Sequence, residues 1–394
     1  MLSDAFIPHL ERYESYEMAC REFTPIVPPG FNLIDAACRR HQDSITRIAL
    51  LEVRPAADNI YTFGGIDFMA DKFANVLASS GIGRGDVVGV MLSQSAAVPV
   101  AHLGAVKVGA LVVPLSPNLG VETACARLEE SECKVLVIDV ANRGAQTGQS
   151  ALHVFVVTDL VVGERLEPRE RNFWGEINDA PSHFVVDDIS SDTPAFVFYD
   201  KDSGVGVGPR LFSHEDLIGQ LPAFEMCNNL VLSGRRMFWT SREWSSIETV
   251  MGWLYPAWVY GFPVVAGGPD TQDQTSLLAF LATRPITNAL LDEPEIRTLT
   301  SQKADDAEQT ALSKIVTVGA MPDASTAARL TELYGTLNSI WGRAEFGMVS
   351  AHCARWFDPK PGSLGRLVPG RPRESLAQIA SQDDEGYLWP GGKS

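Results

Sequence analysis

The sequence predicts an α/β protein built from two helix-flanked, mainly parallel sheets, with a partial β-barrel beside them. Three observations lead there. Short β-branched apolar runs alternate with segments of helical period between Phe31 and Asp139. A second alternating set runs from Ala195 to Trp341. The chain has 394 residues, too many for one small core.

In the first set, Asn32–His41 places Leu33, Ile34, Ala37 and Cys38 on one side of a helix. Ile66–Ser80 repeats that spacing through Met69, Phe73, Val76 and Leu77. Gly81, Gly83 and Gly85 then punctuate a turn. Asp86–Leu92 is an apolar run suited to a strand buried on both faces. A helix over Ala97–Val108, a strand over Leu111–Leu115, a helix over Val121–Glu130 and a strand over Lys134–Asp139 follow. Strand–helix–strand order at this spacing is that of a parallel sheet.

Residues 141–192 are polar and turn-rich apart from the apolar stretch Val154–Val162, so a boundary is placed among them. The second set reads as a strand over Ala195–Tyr199 and helices over His214–Met226 and Ser246–Val259. A strand Pro263–Ala266, a helix Ser276–Ala282 and a strand Ala289–Leu291 come next. A strand Lys314–Val318, a helix Ala324–Leu333 and a strand Leu337–Trp341 complete it. The expected division is a first α/β subdomain over 1–165, a second over 166–350 that carries the cleft, and a remnant over 351–394 leading to a missing C-terminal part.

Composition narrows the function. Hydrophobic residues make up 45% and charged residues 21%, the balance of a globular protein. The net charge of −17 disfavours nucleic acid and anionic membrane surfaces as partners. The apolar stretch Trp253–Gly267 is too short to span a bilayer and holds Pro256 and Pro263. The six cysteines form no C-x-x-C pair and the seven histidines no H-x-x-x-H pair, so structural zinc is not expected. The start lacks a basic, apolar leader, and a cytoplasmic location is expected.

Three segments carry chemistry. Tyr199–Arg210 (Y-D-K-D-S-G-V-G-V-G-P-R) follows a strand and precedes a helix expected from Ser213–His214. Its glycines can turn backbone N–H groups toward a phosphate, although a solvated glycine loop reads the same way. Leu337–Glu345 ends a strand in Trp341–Gly342, where a ring face can meet a planar base and a carboxylate can hold Mg²⁺. Pro361–Gly370 (P-G-S-L-G-R-L-V-P-G) is a shaped connector.

Together and in this order, these segments resemble the adenylate-forming enzymes, which include acyl-CoA synthetases, luciferases and peptide-synthetase adenylation domains. The P-G-S-L-G-R-L-V-P-G segment is similar to the one in the acyl-CoA synthetase branch. So are G-I-G-R-G-D-V-V-G-V-M-L and A-H-L-G-A-V-K-V-G-A-L-V-V-P-L near the start, and the block from Trp239 to Val264. The resemblance spans about Phe31 to Gly392. It implies the fold of that branch's N-terminal domain, without its C-terminal domain. It implies an AMP-forming acid–thiol ligase that uses ATP and Mg²⁺ to make an acyl-AMP and then a thioester, with CoA as the thiol.

The resemblance also implies roles. Ser203, Gly204, Gly206, Gly208 and Arg210 would cradle phosphate. Gly319, Trp341 and Gly342 would form the adenine site. Glu345 would be the catalytic, Mg²⁺-associated carboxylate, and Trp239 and Trp244 would shape the acyl pocket. The chain departs from the pattern where two loop threonines become Val205 and Gly206, the loop lysine becomes Arg210, and a threonine becomes Ala344. Each lost donor costs on the order of 2–4 kcal/mol of transition-state stabilisation. The ribose-binding aspartate and the catalytic lysine would fall after Ser394. Three readings follow: a synthetase impaired or completed by a partner chain, a non-catalytic pseudoenzyme that binds an acyl group, acyl-CoA or nucleotide, or an ATP-independent enzyme that reuses the acyl pocket.

Overall fold

The computed structural model describes residues 4–41, 45–146, 153–158, 165–186, 189–199, 209–230, 233–269, 273–302, 307–343, 346–371 and 380–391. The chain divides into two compact units. The first holds residues 29–215 and 243–246, and the second holds 3–28, 216–242 and 247–394.

The first unit has a short helix, Leu33–Ala37, and then an antiparallel hairpin, β1 (Ile48–Glu52) and β2 (Asn59–Thr62). A seven-stranded sheet follows. Its strands are β3 (Val87–Met91), β4 (Leu111–Pro114), β5 (Val135–Asp139), β6 (His153–Val157), β7 (Glu170–Asn172), β8 (Pro194–Phe198) and β9 (Arg210–Ser213). Their order is β7-β6-β5-β3-β4-β8-β9, parallel throughout except for antiparallel β8–β9.

The apolar runs read from the sequence are these parallel strands, buried because helices cover the sheet. Helices Phe63–Ser79 and Ala97–Lys107 make the main helix pair. Thr62 starts the first of them by accepting the N–H of Gly65 at 3.1 Å. One core cluster gathers Met91, Val113, Leu128, Leu136, Ile138 and Val156.

The second unit carries β10 (Phe238–Thr240), β11 (Val264–Ala266), β12 (Asn288–Leu291), β13 (Lys314–Val318), β14 (Thr336–Arg343), β15 (Gly347–Ala351) and β16 (Arg366–Leu367). Their order is β16-β15-β14-β13-β12-β10-β11, parallel from β14 to β11 and antiparallel through β15 and β16. A separate ribbon pairs β17 (Ala380–Gln382) with β18 (Leu388–Pro390). The described residues form open sheets and this ribbon, with no closed barrel.

Two sequence expectations differ from the structure. The boundary placed at 165 falls inside the first unit, because β6 to β9 continue the sheet begun by β3. The helix expected from His214 begins later. Residues Arg210–Ser213 are strand, Glu215–Gln220 is a 3-10 turn and the α-helix is Leu221–Cys227. Phe212 is buried against the sheet and His214 is tied by its Nδ1 to the N–H of Leu33 at 3.0 Å, so strand pairing overrides the helical pattern.

Buried histidines set an acid limit. Burial holds His102 and His352 down to about 3 and His214 down to about 4, from an ordinary 6.5. Each stays neutral in the fold, so its contribution is complete above pH 6.5 and is lost as pH falls through 6.5 toward the folded value. Glu225 opposes them. Burial raises it to about 7, although it accepts the N–H groups of His9 at 3.0 Å and Leu10 at 2.6 Å. Its cost appears as pH rises from 4.5 to 7. Thermal melts from pH 7 to pH 4 are expected to fall steadily in midpoint; a midpoint that rises throughout this range contradicts the three-histidine account.

Candidate functional site

Parallel strands bring all their carboxyl ends to one edge, where ligands of open α/β sheets bind. In the second unit that edge is made by β10, β12, β13 and β14. Their ends place Thr240, Asp292, Gly319 and Trp341 along it.

At one end of the row, Arg242 forms an ion pair with Asp292, and its backbone N–H donates to Thr240 Oγ1 at 3.1 Å. Asp292 in turn donates its own N–H to Glu295 Oε2 at 3.1 Å, which fixes the start of the helix Glu293–Thr300. The cation is thereby held by the ends of two strands rather than by a mobile loop.

At the other end, β13 and β14 run in register as Thr317 with Ser339 and Val318 with Ile340. The chain turns just past β13 at Gly319, whose φ is +95° and whose N–H donates to Ile340 at 2.9 Å. A Cβ built on Gly319 meets nothing within 4 Å, so space opens beside this turn. Trp341 is the next residue of β14 after Ile340, half-buried, and packs near Val349, Leu364, Leu367 and Leu388. Gly342 sits at a bulge, where a Cβ would lie 2.4 Å from the carbonyl oxygen of Gly347. An aromatic ring and a bare glycine turn are the kinds of group that receive a planar base.

The connector Pro361–Gly370 is fastened to the same strands. Ser363 donates its hydroxyl to the Lys360 carbonyl at 2.7 Å and lies 2.9 Å from His352 Nε2. With the serine hydrogen committed, His352 carries its proton on Nε2, and Nδ1 accepts from Ser339 at 2.8 Å. His352 is thus a buried strut between connector and β14.

The predicted residues divide clearly. Gly319 and Trp341 come together, with Gly342 next to them. Trp239 is fully buried, its Nε1 donating to the Gly267 carbonyl at 2.8 Å and its ring 4.9 Å from that of Phe280. Trp244 is buried and belongs to the first unit. Arg210 opens β9, exposed, opposite Phe198. Ser203, Gly204, Gly206, Gly208 and Glu345 lie outside the described residues. Among the described residues no group of three or more His, Cys, Asp or Glu side chains gathers as a metal site. Sequence reasoning did not single out Arg242 and Asp292, which the fold brings together at the strand ends.

Residues 34–199 match the AMP-binding enzyme family. These residues form an AMP-binding family domain. Rat mitochondrial acyl-coenzyme A synthetase ACSM2 is 25% identical over 343 residues, covering 84% of this chain and 57% of the relative. The medium/long-chain-fatty-acid–CoA ligase FadD6 of Mycobacterium tuberculosis is 35% identical over 109 residues, 26% of this chain and 18% of that protein. The chain therefore spans a little over half the length of the longest-matching of these relatives.

Among solved structures, the Brucella canis acyl-CoA synthetase superposes with a TM-score of 0.81 at 19% identity, over 95% of this chain and 69% of that one. The anthranilate CoA ligase AuaEII gives 0.74 at 21% identity, over 93% and 69%. The chain thus has the fold of acyl-CoA synthetases, as the sequence motifs imply. No described helix is long and apolar enough to cross a membrane.

Proposed function

We propose that this chain binds ATP and a carboxylic acid and forms the acyl adenylate, the first half-reaction of a CoA ligase. The observation that carries the reading is the open turn at Gly319 beside Trp341, at the carboxyl edge of a sheet of acyl-CoA synthetase type. Trp341 would stack on adenine and Gly319 would let the base approach the backbone. Mg²⁺ bound with ATP supplies charge neutralisation on the phosphates, and Glu345 is the residue that would hold it. Arg210, exposed at the first position of β9, would add positive charge to the phosphate loop that precedes it. The chain's own contribution is positioning: it holds the base and orients the carboxylate for attack at the α-phosphorus. Thioester formation would draw on CoA and on a C-terminal domain, supplied by more of this polypeptide or by a partner chain.

Pyrophosphate exchange into ATP, run over a panel of short and aromatic acids, tests this directly. Exchange with at least one acid is expected. Replacing Trp341 with Ala is expected to weaken ATP about tenfold through lost stacking, with little change at saturating ATP. Equal ATP dependence in the variant and the parent removes Trp341 from the site.

One observation favours a second reading, a binding module without catalysis. The glycine loop lacks two hydroxyl donors at Val205 and Gly206 and carries Asp200 and Asp202. The first described element after it is β9, a strand rather than a helix. Binding of an acyl-CoA without any response to millimolar ATP–Mg²⁺, read as a melting shift, selects this reading over the first.

A further inference from the structure

The first unit has a carboxyl edge of its own. β3 and β5 are parallel neighbours, with Met91 beside Ile138. From β3 the chain passes to β4 on one side, and from β5 it passes to β6 on the other. Such a division leaves a crevice outside the strand ends, where ligands of open α/β sheets bind. A cavity of about 510 Å³ opens there to solvent. Ser93, Gln94 and Ser95 line it after β3, Asp139 at the end of β5, and Val157 and Thr158 at the end of β6. Glu52 and Arg54 of the β1–β2 hairpin complete the wall.

The two carboxylates in this wall are unequally answered. Glu52 is 2% exposed and accepts the Ala96 N–H and the Tyr61 hydroxyl, each at 3.1 Å. It also pairs with Arg54 at 3.3 Å. Asp139 accepts the Ser93 N–H at 2.6 Å, and Ser93 is its only hydrogen-bond partner among the described residues. A carboxylate accepts about four hydrogen bonds, more than one serine gives. Burial pushes the Asp139 carboxyl up, against the pull of Ser93. This charge therefore meets a cavity where Glu52 meets a cation. Beside it, Val140, Ala141 and Val157 give the cavity an apolar side.

We propose that this crevice binds a primary amine on a short apolar body, with the ammonium on Asp139 and the body along Val140, Ala141 and Val157. An ammonium brings three donors and no acceptor, which matches acceptor sites left over on a carboxylate. Its charge strengthens those bonds about twofold over neutral ones. A carboxylate ligand is repelled by Asp139, and an alcohol of the same shape bonds without supplying charge. The chain's net charge of −17 also favours the approach of a cation. The site lies within the first unit and is independent of the acid-activating reading.

The test uses the 394-residue chain at physiological ionic strength, where the field of the acidic surface is screened. The probes are matched sets: benzylamine, benzyl alcohol and benzoate, and butylamine, butanol and butanoate. Binding is read by calorimetric titration and ligand-observed NMR. At least one amine is expected to bind about tenfold more tightly than its alcohol, and the matching carboxylate is expected not to displace it. Asp139→Asn keeps an acceptor for the Ser93 N–H and is expected to erase the preference. Ala141→Trp fills the cavity, leaves Asp139 in place and is expected to weaken the amine about tenfold as well, so the test stands even where Asp139→Asn fails to fold. Glu122→Gln, which removes a charge from an exposed helix position, is expected to change nothing. An alcohol bound as tightly as its amine overturns the proposal. So does an amine that binds the folded Asp139→Asn or Ala141→Trp variant as tightly as the parent, since its attraction is then that of the acidic surface at large.

Discussion

Replacing Lys107 with Ala is expected to destabilise the first unit by about 3–5 kcal/mol, the cost of leaving a buried charge without its partner. Lys107 is the last residue of the helix Ala97–Lys107 and its side chain is fully buried. Its Nζ lies 2.6 Å from Asp67 Oδ1, 2.6 Å from Asp71 Oδ1 and 2.9 Å from the Asp67 carbonyl. Both carboxylates are themselves buried, on the facing helix Phe63–Ser79. Arg39 completes a neutral quartet at 3.3 Å from Asp67 and 3.4 Å from Asp71. Without Lys107, two carboxylates face one partly exposed guanidinium. Coupling this change with Asp71→Asn leaves Asp67 and Arg39 as a neutral pair and is expected to recover much of the loss. Urea unfolding followed by circular dichroism measures both. A single variant within about 1 kcal/mol of the parent contradicts the account, as does a double variant no better than the single one. By contrast, the surface pair Arg297–Glu293, with both side chains 74% exposed, is expected to contribute little.

That quartet marks the limit of what the sequence makes legible. The helix over Ile66–Ser80 is readable because Met69, Phe73, Val76 and Leu77 keep its period. Asp67 and Asp71, one turn apart, read as its solvent face, and only the fold turns them inward onto a lysine forty and thirty-six residues away. The parallel strands β3, β4, β5 and β13 are equally readable, because burial on both faces demands continuous apolar runs. The hairpin β1–β2 is not: Ile48-Ala49-Leu50-Leu51-Glu52 lacks alternation and is rich in helix-forming residues. Strand β9 is hidden for a related reason, since Leu-Phe-Ser-His before an amphipathic segment looks like a helix start. At the site, the pairing of Gly319 with Trp341 follows from motif order.

The connector motif supplies the second large effect. Replacing Gly365 with Ala is expected to cost about 2–5 kcal/mol, from a left-handed backbone added to overpacking. Gly365 has φ +85°, and a Cβ there would lie 2.4 Å from both the carbonyl carbon and oxygen of Ala351. Those are backbone atoms of β15, and they cannot swing aside as a side chain can. The neighbours are locked as well. Leu364 donates its N–H to Leu388 at 2.7 Å, and Leu388 returns one to Gly365 at 2.8 Å. Gly362, three residues earlier in the same motif, is the control. Its φ is +77°, but a Cβ meets only the Trp389 ring at 3.5 Å, an ordinary contact. Gly362→Ala is therefore expected to cost only the left-handed conformation, about 1–2 kcal/mol. The consequences reach the site through two backbone bonds, Gly362 to Met321 at 2.8 Å and Met321 to Ser363 at 2.8 Å, which tie the connector to the turn after Gly319. Gly365→Ala should then weaken ligand binding at Gly319 and Trp341 even at temperatures where the chain remains folded, whereas Gly362→Ala should leave it nearly unchanged. Equal loss of stability in the two variants, measured by urea unfolding with tryptophan fluorescence, would show that β15 yields to the added methyl and that the glycine is kept for its backbone angle alone.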